Sequence, residues 1–380
     1  MHSVFRLLTL ALIIGLPSMG TAETLDVWFG TTTPKDGLSK GIYHASFNTE
    51  TGKLTTPELA FGIGSPGFLA LHPNGKVLYC TGTIDGEPLL TALSIESGAD
   101  GEKLKLINAA AIGDGGAAHL SVDQTGKALF SAQYGGGSTA MFELAEDGEI
   151  LQRSDLKKHS GGSGVVGKRQ DKPHAHWVGT SPDNRFVMVP DLGLDKVVIY
   201  ELDLDELKLK DHGFGSVPPG GGPRHMKFHP DGKHVYVLNE LALSVTVFDY
   251  DPEAGTMTAI QTIPTVTEES KTKENHSSGS EIRVHPSGKF VYSANRGHDT
   301  ITAYSVDQED GKLTLIEEEP IRGSWPRNFN IDPTGKWLIA AGRDSNTAAV
   351  FSIDQETGEL TFTQHSAMVP TPICVLFSKP

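Results

Sequence analysis

A chain of 380 residues can hold one large domain or two ordinary ones, and nothing after its first 22 residues approaches a run of 18 apolar residues. With 32 Lys and Arg against 47 Asp and Glu the formal charge is −15, which argues against nucleic acid or an anionic membrane as partner, because both need broad basic surface. Forty-three glycines and 22 prolines suit many short strands joined by tight turns.

The first segment, Met1 to Ala22, reads as a secretory signal. Arg6 supplies a positive start, Leu7 to Leu16 an apolar stretch, and Gly20-Thr21-Ala22 a small-residue cleavage site. The stretch is short for a retained anchor. The expectation is an exported protein, periplasmic or secreted, with one mature domain from Glu23 to Pro380. Cys80 and Cys374 are too few for a disulfide framework, and both sit in apolar runs, so buried free thiols are expected.

After the signal, LDVWFGT, GIYHASFN and LTTPELA read as three strands that lack a first partner. A layout then recurs along the chain: an apolar strand, a Pro-containing turn, and a second apolar strand with a polar end. It is plainest in PHAHWVGTSPDNRFVMVPDLGLD, GPRHMKFHPDGKHVYVLNEL, GSEIRVHPSGKFVYSANRG and WPRNFNIDPTGKWLIAAGRD. Pro73, Gln124, Pro182, Pro230, Pro286 and Pro333 mark six copies at intervals of about 50 residues. One further interval reaches Pro380, so TPICVLFSKP reads as the first strand of a seventh copy. Four residues before each marker stand Leu69, Leu120, Val178, Met226, Ile282, Phe329 and Leu376, an apolar register that predicts a buried strand face.

Each complete copy holds four strand patterns; in the fourth they are MKFHP, HVYVLNE, SVTVFDYD and MTAIQTI. This predicts an all-β, seven-bladed β-propeller closed by N- and C-terminal strands sharing one blade, which leaves no open sheet edge around the ring. Two insertions interrupt the period. Lys157 to Lys172 is Gly-rich and basic, and Thr265 to Ser280 is polar and charged. Both precede a first strand, so both belong on one rim, where long loops tend to be functional.

Two registers vary as a binding site would. Six before each marker stand Gly67, Ala118, His176, Arg224, Ser280, Arg327 and Cys374, a ring around one channel mouth. Ten after stand Thr83, Tyr134, Leu192, Glu240, Arg296 and Arg343. His174 and His176 share a strand face. A metal would need a third and fourth ligand, and only Glu240 offers itself, so no metal and no cofactor is expected. His72, His229 and His285 recur just before the turn proline and read as turn residues. Gly162 to Lys168 matches the opening of a phosphate-binding loop. Arg169 follows where Ser or Thr is required, and no strand-to-helix context surrounds it, so the match is accidental. Its cations remain available to an anion.

On RQDKPHAHWV, SPDNRFVMVPDLGLDKV, GPRHMKFHPDGKHVYVLNEL, SEIRVHPSGKFVYSANRG and TPICVLF, the chain resembles the lactonase family of seven-bladed propellers. That family includes the propeller-type 6-phosphogluconolactonases and the carboxy-cis,cis-muconate lactonising enzymes. The resemblance implies a catalytic histidine, glutamate and two arginines, which fall on His176, Glu240, Arg224 and Arg296, with Arg283 competing for the last place. Glu281 and Arg327 join by position alone. It implies hydrolysis of a sugar-derived lactone, with His176 or Glu240 activating water. Arg224 and Arg296 would stabilise the oxyanion. Arg169, Lys172 and His174 would contact the remainder of a small anionic lactone or sugar acid. Cycloisomerisation of a carboxymuconate and non-enzymatic binding of a sugar acid or a protein are the alternatives.

Overall fold

The computed structural model describes residues 23–96, 104–273 and 277–379. The secretory-signal reading of residues 1–22 lies outside the described residues. Seven antiparallel sheets follow one another along the chain, six of four strands and one of five. The blade of Pro223–Phe228, His234–Asn239, Ser244–Asp251 and Thr256–Pro264 is typical: each strand pairs with the next, and a bulge interrupts the register near the start of the first. The first strands of neighbouring blades pack against one another around the axis, so side chains of the first strands line a central channel. The seven-bladed, all-β expectation holds.

The turn after each first strand shows why the sequence repeats. His72, His229 and His285 each accept at Nδ1 from the backbone N–H two residues on (3.2, 3.2 and 3.1 Å). Each Nε2 donates to a glycine carbonyl in the equivalent turn of the next blade: Gly126 at 3.1 Å, Gly288 at 2.9 Å and Gly335 at 2.8 Å. These glycines have φ of +76°, +73° and +74°, and a Cβ on them would lie 2.5, 2.5 and 2.6 Å from the imidazole. Both left-handed backbone and close approach therefore demand glycine. A second set of staples joins the same blades further out. Tyr79, Tyr236 and Tyr292 donate to the carbonyls of Gly148, Gly311 and Gly358 at 2.7, 3.0 and 2.8 Å.

The ring closes where Pro372–Ser378 pairs with Thr24–Thr31, which continues to Gly41–Asn48 and then to Lys53–Leu54 and Glu58–Gly62. Trp28 Nε1 adds a bond to Ser378 Oγ at 2.8 Å. In this strand the sequence ruler slips by one residue. Pro372 begins its strand as Pro326 begins the preceding first strand, which places Ile373 opposite Arg327 in the repeat and Val375 opposite Phe329. Val375 is accordingly buried and Leu376 only half so. The seventh ring member is Ile373, not Cys374. A one-residue shift in a strand moves every side chain to the other face, which is why Cys374 and Leu376 leave the expected registers. Cys80 and Cys374 are free and buried as expected.

Candidate active site

The residue two before the buried register of each first strand reaches the channel at one mouth, and three of these are His176, Arg224 and Arg327. Glu240 follows the strand His234–Asn239, where its N–H donates to Gly222 O at 2.8 Å, and Arg296 ends Phe290–Arg296. A cavity of about 690 Å³ opens here, lined by His176, Glu240, Arg296, Arg327, Tyr134, Trp325 and small residues. Both insertions reach it: Arg169, at the end of the short 3-10 turn Gly167–Arg169, and Ser277 and Ser278 line its wall. A smaller chamber of about 230 Å³ shares Ala117, Ala118 and Arg327 with the first and contains Arg224.

Glu240 is the hub. Its Oε1 accepts from Arg169 at 2.6 Å, and its Oε2 forms an ion pair with Arg296 Nη2 at 3.0 Å, while that nitrogen donates to Gly279 O at 2.7 Å. Arg224 Nε lies 3.0 Å from the same Oε2 without the alignment of a hydrogen bond, and His176 Nε2 stands 4.0 Å away. Burial raises the Glu240 carboxyl pKa, but the Arg296 and Arg224 guanidiniums outweigh it and hold the group well below the usual carboxylate range. Burial first, then Arg224 and His225, push His176 well below 6.5, so its imidazole is neutral at pH 7. Its buried Nδ1 has no hydrogen-bond partner among the described residues. Arg224 comes down to about 9 and Arg327 to about 10, each through burial and then the charge of Arg296, and both stay cationic at neutral pH.

Of the residues expected at the site, His176, Glu240, Arg296, Arg169 and Arg327 meet in the larger cavity, and Arg224 reaches it from the adjoining chamber. Four do not line either space. His174 stacks on Tyr134 with ring centroids 4.4 Å apart, and its Nδ1 lies 2.8 Å from the Tyr134 carbonyl, so it holds that tyrosine in place. Lys172 is exposed and donates to Gly135 O at 3.2 Å. Glu281 and Arg283 stand out of phase with the ring register. Glu281 is fully buried, 3.1 Å from His225 Nδ1, 3.6 Å from Arg283 and hydrogen-bonded by Asn328. Arg283 donates to Phe329 O at 3.2 Å, so Arg296, not Arg283, is the second arginine on Glu240.

Of the inner layer of His119, His225, Glu281 and Asn328, only Glu281 was expected near the site, and as a substrate contact. Its members lie five before the turn marker, a register that varies as much as its neighbour and could have been read the same way. Arg224 Nη1 donates to His225 Nε2 at 3.1 Å and also to Ser280 O, so the layer fixes the guanidinium from behind. Tyr134 stood in the second variable register. Trp325 was missed altogether, although it precedes Pro326 in the same motif as Arg327; it holds a φ of +60° where the equivalent position of the fourth copy is Gly222. The guanidiniums of Arg296 and Arg343 flank its ring at 5.9 and 5.5 Å. Among the described residues, the group of His, Cys, Asp or Glu side chains close enough to share a metal ion is His229, Asp231 and His234, on a blade turn and not at the cavity.

Comparison with known proteins agrees with this architecture. A 6-phosphogluconolactonase of Bacillus subtilis is 36% identical over 341 residues, covering 90% of this chain and 95% of that protein. A crystal structure from Lactobacillus plantarum superposes with a TM-score of 0.86 at 30% identity, covering 93% of this chain and 99% of the other. The periplasmic gluconolactonase PpgL of Pseudomonas aeruginosa superposes with a TM-score of 0.85 at 26% identity, over 94% and 100% of the two chains. The model of the family described as lactonase, 7-bladed beta-propeller, matches residues 26–377, and the chain belongs to that family.

Proposed function

We propose that the chain hydrolyses a sugar-derived lactone, 6-phosphogluconolactone or a related sugar-acid lactone, in the cavity at the channel mouth. The observation that carries this reading is the charge of the site: three arginines, Arg169, Arg224 and Arg296, contact Glu240, and a fourth, Arg327, lines the same cavity, in a protein of net charge −15. Such a site suits an anion and a reaction that develops negative charge. The family and its 6-phosphogluconolactonase relative point the same way.

In this reading His176 is the base. Glu240 is held ionised by three guanidiniums and has little affinity for a proton, whereas His176 is neutral, buried and unpartnered at Nδ1. Water attacks the lactone carbonyl carbon as His176 takes its proton. The carbonyl oxygen becomes an oxyanion stabilised by Arg296, the bond from that carbon to the ring oxygen breaks, and the proton passes from His176 to the departing alkoxide. Glu240 keeps the arginines together when no substrate is present. Cycloisomerisation of a muconate would need a proton donor, and neither His176 nor Glu240 is protonated at neutral pH.

The test is His176→Asn, with lactone hydrolysis measured by titration of released acid. A fall in kcat/KM of about 10²- to 10⁴-fold with Tm unchanged is expected. Wild-type rates in the variant would remove His176 from the mechanism, and turnover of a carboxymuconate in place of the lactone would replace the hydrolase reading.

A further inference from the structure

We infer that the smaller chamber is an anion subsite, built by Arg327 and Arg224, that seats an oxyacid group of the substrate, phosphate or carboxylate, remote from the reacting carbonyl. The inference rests on the lactonase reading for what enters the larger cavity, but its evidence is separate. Arg327 lines both spaces, and among the described residues it makes no hydrogen bond and no ion pair. Its neighbours differ in this respect: Arg169, Arg224 and Arg296 all contact Glu240. A guanidinium drawn out of water carries a desolvation cost that an ion pair normally offsets. Here the carboxylates of Glu240 and Asp344 act on Arg327 only from a distance and neither pairs with it, so a ligand anion is the fitting partner, and guanidinium geometry favours a two-pronged oxyacid.

The chamber carries a second uncommitted donor. Thr81 is buried, and its Oγ1 accepts from the Phe68 N–H at 3.0 Å. Among the described residues its hydroxyl proton has no acceptor, and a buried donor in this state calls for one. Phe68 and Ile373 form the apolar part of the wall. Arg169, Glu240 and His176 lie on the other side of Arg327, in the larger cavity. A substrate reaching both spaces therefore places its oxyacid past Arg327 and its carbonyl beside His176 and Arg296. The contact with the remainder of the substrate expected of Arg169 and Lys172 passes to Arg327, because Arg169 is bound to Glu240 and Lys172 lines neither space.

The experiment compares wild type with Arg327→Gln and Thr81→Val on three lactones: uncharged gluconolactone, a 6-phosphate lactone and a 6-carboxylate lactone. Inorganic phosphate serves as a binding probe by calorimetry. Losing a charged hydrogen-bond partner should lower kcat/KM for the favoured anionic lactone about 10- to 100-fold more than for gluconolactone, and weaken phosphate binding to match. Which of the two anionic lactones shows the larger selective loss identifies the group as phosphate or carboxylate. Equal losses on all three lactones, or phosphate binding unchanged in Arg327→Gln, would overturn the subsite. Phosphate binding that depends on Arg327 in a protein inactive on every lactone would leave the subsite standing and remove the lactonase reading.

Discussion

Replacing Glu240 by Gln tests the electrostatic logic of the whole site without changing its shape. The wild-type carboxylate is almost fully buried, at 5% exposure, and Arg224 and Arg296 beside it are at 1% and 6%. Gln preserves the volume and can still accept hydrogen bonds, but it leaves these two guanidiniums buried beside each other without the carboxylate that pairs with both, Glu281 acting on Arg224 only from a distance. Breaking a buried ion pair from one side costs about 3–5 kcal/mol, most of it the stranded charge. The Arg169 contact adds little, since its side chain is 46% exposed and solvent screens it. At roughly 2 °C per kcal/mol for a large domain, Tm should fall by about 6–10 °C. Adding phosphate should recover part of the loss, because an anion that binds the folded protein stabilises it by mass action. Scanning calorimetry with and without phosphate reads both effects. If Glu240→Gln melts within about 2 °C of wild type, as surface substitutions do, the three arginines do not depend on Glu240 and the hub is wrongly identified.

Two further expectations follow from the same geometry. Burial pulls the pKa of His119, His176, His225 and His285 below 6.5, so the unfolded chain binds more protons than the native one below that pH. The stability these residues provide is complete above about pH 6.5 and is lost as pH falls toward their native values, each contributing a slope of up to about 1.4 kcal/mol per pH unit. Melting curves between pH 8 and pH 5 should show this decline, flattened in His225→Gln, and a Tm constant over that range would refute it. Tyr236→Phe should cost about 1–2 kcal/mol in urea unfolding with the slope unchanged, because it strands the buried Gly311 carbonyl of the next blade; a change below about 0.3 kcal/mol would mean the staple carries no weight.

The fold was legible because a propeller repeats its physics. A buried residue two positions after each channel residue, and a left-handed glycine seated on the preceding blade's imidazole, leave the same letters in copy after copy. The reading failed at the seventh copy for a related reason. The closing strand sits one residue earlier than the period requires, and that single step puts Ile373 in the ring in place of Cys374. Residues on the ring strands, His176, Arg224 and Arg327, could be placed from period alone. Lys172 could not, because the path of a Gly-rich insertion is set by its own backbone and not by the repeat, and His174 could not, because its partner Tyr134 belongs to another blade. Trp325 escaped notice because its left-handed backbone is a property of the fold, invisible in a residue type that rarely adopts it. Of the inner layer only Glu281 was legible; His119, His225 and Asn328 stand in the same register, one residue from the channel register and as variable as it.

The closing blade also sets an order on assembly. Trp28 and Ser378 are hydrogen-bonded although 350 positions separate them, and the first strand of that sheet is the last strand in the sequence. During synthesis Thr24–Thr31 emerges early and then waits, with one side of its backbone unpaired, until every other blade has been made. At about 5–20 residues per second the wait is on the order of 20–70 s, during which the strand presents an open edge to any other chain. The penalty of joining ends so far apart falls on the rate of folding far more than on final stability, since loop-closure entropy grows only with the logarithm of length. The same adjacency makes the ring indifferent to where it is cut: joining residue 379 to residue 23 and opening the chain at an exposed turn between two other blades should give the same propeller with its slowest pairing moved elsewhere.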